Sequence, residues 1–153
     1  MHALELKIPP PVVALLVAVA MWGISLVTPS VVVPTPIRVS VAIAIALAGI
    51  GIAISGALLF RRARTTVNPL KPETTSSLVT DGVYRFTRNP MYVGVAAVLL
   101  AWAVFLSSPL ALLGPLVFIL YIGRFQIVPE ERVLSAMFGA AYSAYRAKVR
   151  RWI

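Results

Sequence analysis

The chain has 153 residues, 59% of them hydrophobic and only 12% charged, with a mean hydropathy of +0.91. So few charges cannot clothe a water-facing surface, which excludes an ordinary soluble domain and makes the bilayer part of the solvent. With no Cys there are no disulfides, thiolate ligands or cysteine nucleophiles, and with His2 as the single His, expected to be a mobile terminal residue, no metal site is expected.

Four apolar runs follow in chain order, at about 12–27, 37–60, 91–107 and 110–128. The second is long enough to span with tilt, since ~30 Å of hydrocarbon takes ~20 helical residues. The third and fourth are shorter and separated only by Ser107, Ser108 and Pro109, so they predict a tight helical hairpin. The three prolines of "TPSVVVPTPIR" predict an extended connection between the first two runs. Residues 61–90 form a long polar segment, expected to be a working loop rather than a plain connector. The small-residue run at Ala18–Ala20 resembles a cleavage site, but a weakly basic start and the even span count favour an uncleaved first span.

The net charge of +9 raises the question of nucleic acid, and its distribution answers with topology instead. Lys7, then Arg61, Arg62, Arg64, Lys71, Arg85 and Arg88, then Arg124, Arg132, Arg146, Lys148, Arg150 and Arg151 all fall on one side of four spans; Arg38 alone falls on the other. By the positive-inside rule both termini are expected in the cytoplasm, with the basic excess also attracting anionic membrane lipid. No nucleic-acid partner is expected. The fold class is an all-α polytopic membrane protein of about four spans, residues 1–66 holding the first two and residues 67–153 forming the working core. It ends in an amphipathic helix, "PEERVLSAMFGAAYSAYRAKVRRWI", on which Leu134, Phe138, Ala141, Tyr145 and Trp152 recur at helical spacing.

No span carries an interior Asp or Glu, which disfavours proton-coupled transport. The polar chemistry gathers at one interface, in "DGVYRFTRNPMYVG" and in residues 124–132. Antiparallel neighbours place Arg88, Asn89 and Tyr92 at the depth of Arg124, Gln126, Glu130 and Glu131, predicting one composite site beside the lipid. Plain structural roles compete with this reading: Asn89 as a helix cap before Pro90, Pro129 with Glu130 and Glu131 as an ordinary helix start, Tyr84 and Tyr92 as belt residues.

"LVTDGVYRFTRNPMYVG" followed by "PEERVLSAMFGAAYSAYRAKVRRWI" resembles the C-terminal core of the isoprenylcysteine carboxyl methyltransferase family and its phospholipid methyltransferase relatives, over residues 67–153. The resemblance implies an integral membrane methyltransferase, expected in a bacterial-type inner membrane, that uses S-adenosylmethionine, releases S-adenosylhomocysteine and takes a lipophilic acceptor from the bilayer. Carried over by motif, Tyr84, Arg88, Pro90 and Tyr92 match the first half; Glu130, Glu131, Tyr142 and Tyr145 match the second; Gly82, Gly94 and Gly139 match as sites of close backbone approach. The family's His is Asn89 here, which can hydrogen-bond but cannot take up a proton near neutral pH, arguing against a general base at that position. The implied roles are Arg88 on a carboxylate of cofactor or acceptor, Glu130 or Glu131 on the cofactor's amino group or ribose, and Tyr92, Tyr142 or Tyr145 facing the sulfonium. A sterol-reductase-like enzyme using NADPH and a non-catalytic membrane scaffold are the alternatives; the acceptor and the oligomeric state stay open.

Overall fold

The computed structural model describes residues 5–64 and 72–153; His2 and Lys71 lie outside them. The described residues form helices and irregular segments, with α1 at Pro10–Val27, α2 at Thr35–Arg62, α3 at Pro90–Leu106, α4 at Leu113–Ile122 and α5 at Val128–Lys148. Prolines open several of them: Pro10 starts α1, Pro36 lies in the first turn of α2, and Pro90 starts α3. A first-turn proline removes only an N–H that has no partner in the helix and presets the backbone.

Apolar side chains cover the outside. Leu15, Leu16 and Leu26 on α1, Ile43, Leu47 and Ile54 on α2, and Leu116 and Leu120 on α4 are all exposed. Such a surface is stable only in hydrocarbon, where helices satisfy their own backbone groups. The chain is an integral membrane protein.

With lipid on one side as apolar as the core on the other, helices associate through close backbone approach. The tightest contact joins α2 to α3. A Cβ at Gly49 would come within 2.7 Å of the Gly94 carbonyl oxygen, and a Cβ at Gly94 would run into Gly49 and Ala53. Gly56 receives Pro90 in the same way, so the start of α3 is fixed against α2. Gly51, by contrast, faces open space. On the other side α1 packs on α3 and α4: Gly114 makes room for the buried Met21, and Trp102 donates its indole N–H to the Ala18 carbonyl at 3.1 Å.

The α3–α4 hairpin turns through Ser107, which adopts a left-handed conformation (φ 53), and a short 3-10 turn at Pro109–Leu112. Beyond α4 the expected break does not occur. Helical backbone runs on from Pro109 to Lys148, and Pro129 lies inside it rather than beginning a separate helix. Residues Gly123–Ile127 form a π turn, in which the Val128 N–H reaches Gly123 O five residues back. The wider turn takes up the proline ring and its missing N–H, which would break a regular α-helix. The long helix bends later instead, at Gly139, whose φ of 49 and ψ of −119 are not helical. That bend shifts the phase of the amphipathic pattern: Tyr142 is buried where Ala141 was expected, and Ala141 is exposed.

Candidate functional site

The site is assembled where α3 begins. A 3-10 turn at Gly82–Arg85 precedes it, with Gly82 at φ 58 against Leu59 of α2. Only glycine adopts that backbone without strain, and a Cβ there would meet Leu59 at 2.8 Å. The turn buries Tyr84, whose carbonyl accepts a hydrogen bond from the Tyr145 hydroxyl at 2.8 Å. α5 is thereby tied to the loop before α3.

Two carboxylates complete the opposite wall. Tyr92 donates to Glu130 Oε1 at 2.6 Å, and Gln126 Nε2 donates to the same oxygen at 2.7 Å. Glu131 is held by Arg88 (Nη2 to Oε1, 2.9 Å) and by both Nε and Nη2 of Arg151, at 3.0 and 2.7 Å. The Arg88–Glu131 pair is nearly enclosed, with side chains 10% and 9% exposed. At such burial an ion pair fixes geometry more than it adds stability, because desolvation offsets most of the attraction.

Asn89 does not cap α3 with its side chain. Its Nδ2 instead donates to the Arg151 carbonyl at 2.9 Å, while the Arg88 N–H donates to Arg150 O at 3.0 Å and Thr87 Oγ1 to Arg151 O at 3.3 Å. The C-terminal tail therefore returns to the start of α3, and the structural role expected of Asn89 becomes that of a clamp on this tail.

A cavity opens between these walls. Tyr84, Arg88, Asn89 and Tyr92 line it from the α3 side, and Glu130, Glu131, Tyr142 and Tyr145 from α5. Gly82, Pro90, Gly94 and Gln126 stand behind the lining, the first three packed on α2 and Gln126 bonded to Glu130. Arg124 and Arg132, expected in the same wall, turn away to pair with Glu5 of the N-terminal segment at 3.2 and 3.1 Å. Sequence reasoning missed Thr75, Ser77, Leu78 and Val79, which reach the cavity from the long loop, and Arg151, which had been counted only as a topology charge. The length of that loop was the one signal for the first four.

Among the described residues, the Tyr84 hydroxyl and Arg88 Nε are buried without a hydrogen-bond partner, and both side chains line the cavity. Burial, with Tyr145 and Glu130 close by, pushes the Tyr84 phenol far above its ordinary range, so it is a neutral donor. Unpaired buried donors cost free energy unless something arrives to accept from them.

The family model for phospholipid methyltransferases matches residues 37–141, more than half of the chain. The chain belongs to this family. The match takes in α3, the hairpin and the part of α5 that carries Glu130 and Glu131, and stops just before Tyr142 and Tyr145. An uncharacterized protein of Haemophilus influenzae is 48% identical over 63 residues, 41% of this chain and the full length of that protein. A protein-S-isoprenylcysteine O-methyltransferase of Schizosaccharomyces pombe is 37% identical over 75 residues, 47% of this chain but only 30% of the yeast protein. No solved structure matches the chain. A membrane methyltransferase is the activity to which family and relative both point.

Proposed function

We propose that the chain transfers a methyl group from S-adenosylmethionine to a lipophilic acceptor, and that the cavity between α3 and α5 holds the donor. The observation that carries this reading is the pair of orphaned donors, Tyr84 OH and Arg88 Nε, set across the cavity from two carboxylates. A donor molecule with a carboxylate, an ammonium group and ribose hydroxyls fits that set. Arg88 Nε would meet the carboxylate, since its Nη2 is already engaged by Glu131; Glu130 would accept from the ammonium or ribose; Tyr142 and Tyr145 would face the cation with their rings.

When bound, the sulfonium would supply an electrophilic methyl to the acceptor's oxygen or nitrogen, sulfur keeping the electron pair of the S–CH3 bond. The protein's part is alignment and exclusion of water, worth as much as ~7 to 11 kcal/mol in favourable cases. Leu78, Val79 and Leu134 line the same cavity and would help to exclude water once the donor is bound. A carboxylate acceptor needs no base, consistent with Asn89 where the family carries His. The family's name and the yeast relative's both support an acceptor of lipid character.

The pocket end is proposed to face the cytoplasm, with both termini there, in a bacterial-type inner membrane. Among the Lys and Arg of the described residues, only Arg38 lies toward the other end. Incubating membranes that contain the protein with methyl-labelled S-adenosylmethionine tests the reading. Label should pass into solvent-extractable material with the wild type and not with Arg88→Ala; equal transfer by both would refute it.

A further inference from the structure

The pole opposite the cavity holds a charge that methyl transfer does not use. Arg38 lies in the first turn of α2. The 22 residues from there to Phe60 at the cavity rise about 33 Å at ~1.5 Å each, close to the hydrocarbon thickness of a bilayer. All five acidic residues of the chain, Glu5, Glu73, Asp81, Glu130 and Glu131, belong by sequence or contact to the cavity end. Arg38 thus has no carboxylate to neutralise it. Its Nη1 donates to Ser107 Oγ at a long 3.4 Å and its guanidinium lies 5.6 Å from the Phe105 ring centre. Among the described residues its buried Nε finds no hydrogen-bond partner.

Beside this guanidinium runs a second cavity, between the start of α2 and the tip of the α3–α4 hairpin. Val31, Ile37, Val41, Val104 and Leu112 make its walls, and Ser107 and Ser108 provide the hydroxyls at its edge. One unneutralised cation at the mouth of a hydrocarbon groove, at interfacial depth, is complementary to an anionic amphiphile: head on the cation, acyl chain along the groove.

We propose that this groove binds one anionic phospholipid of the leaflet at the Arg38 end. Its phosphate accepts from Arg38 Nε and the Ser107 hydroxyl, and one acyl chain lies between α2 and the end of α3. The lipid bridges two elements that, among the described residues, are linked there by the long Arg38–Ser107 contact, and joins them to the hairpin tip, already tied to the α1–α2 connection by the Val31 N–H to Ser107 O bond (2.7 Å) and the Thr28–Ser108 hydroxyl pair (3.0 Å). The site is separate from the methyl-transfer cavity and does not depend on its assignment.

Delipidated full-length protein in a neutral maltoside detergent is titrated with phosphatidylglycerol, reading the melting temperature and the lipid retained in native mass spectrometry. A saturable rise and one retained lipid are expected, with apparent affinity at least tenfold weaker in Arg38→Gln, intermediate in Arg38→Lys, and unchanged in the Arg61→Gln/Arg62→Gln variant at the other pole. Val104→Trp, which fills the groove and keeps Arg38, should also lose the lipid; it keeps the test decisive if Arg38→Gln does not fold. Phosphatidylcholine and inorganic phosphate should each act at least tenfold more weakly. Wild-type affinity in Arg38→Gln or in Val104→Trp overturns the proposal, as does an equal effect of phosphatidylcholine (unselective acyl binding) or of inorganic phosphate (a free-anion site).

Discussion

The Tyr92 hydroxyl lies 2.6 Å from Glu130 Oε1, joining the first turn of α3 to the first turn of α5 across the hairpin. Both side chains are buried or nearly so and both line the cavity. Losing a hydrogen bond of this buried kind costs about 1 to 3 kcal/mol. Tyr92→Phe keeps the ring and loses only this bond, leaving Gln126 as the donor to Glu130 Oε1. Affinity for S-adenosylhomocysteine should fall about tenfold, which corresponds to ~1.4 kcal/mol, with a lower melting temperature in detergent. Isothermal titration checks it, and wild-type affinity would mean that this bond does not position Glu130 for the cofactor.

Glu131 serves two arginines, and its loss should hurt more than the loss of either contact from the tail. Glu131→Ala leaves Arg88 buried without a counter-charge, a change that typically costs about 3 to 5 kcal/mol. Arg151→Ala removes two donors from a side chain that is 38% exposed and leaves the Arg88 pair in place, so about 1 to 2 kcal/mol is expected. Denaturation of the two variants in mixed micelles gives the order directly.

Asn89 holds the tail through a side-chain N–H on the Arg151 carbonyl. Asn89→His, restoring the residue of the family pattern, keeps a ring N–H donor; Asn89→Leu has none. Protease cleavage after Arg150 or Arg151 should stay slow in the first and accelerate severalfold in the second. Equal cleavage in both would remove the clamp from the account.

Helix contact between α2 and α3 positions Pro90, and with it the whole first wall. Gly94→Ala should destabilise by about 1 to 3 kcal/mol through overpacking against Gly49 and Ala53, whereas Gly51→Ala, facing open space, should be neutral. Melting temperatures of the two variants make the comparison.

Much of this arrangement is written in the sequence. Apolar runs gave the spans, and two runs joined by Ser107, Ser108 and Pro109 had to be antiparallel neighbours, which set Tyr92 against Glu130 and Arg88 against Glu131. What stayed hidden has local causes. Pro129 reads as a helix start because a π turn, invisible in composition, lets the helix pass through it. Gly139 breaks the helical phase, so periodicity chose Ala141 over Tyr142. The helical pattern reads on through Trp152, but the helix ends at Lys148 and the chain turns extended at Val149, so nothing announced that Arg151 would return to Glu131. Glu5 lies far away in sequence, and its capture of Arg124 and Arg132 follows from the packing of the N-terminal segment on the π turn, where the Leu6 N–H reaches Phe125 O at 3.1 Å.

The central claim is that the α3–α5 cavity binds the methyl donor, and titration of the purified protein with S-adenosylhomocysteine tests it most directly. Saturable stabilisation by S-adenosylhomocysteine and none by NADPH is predicted for the wild type. Glu130→Ala and Arg88→Ala should each abolish that stabilisation while still eluting as folded protein in detergent. Stabilisation by NADPH alone, or S-adenosylhomocysteine binding unchanged in both variants, would contradict it.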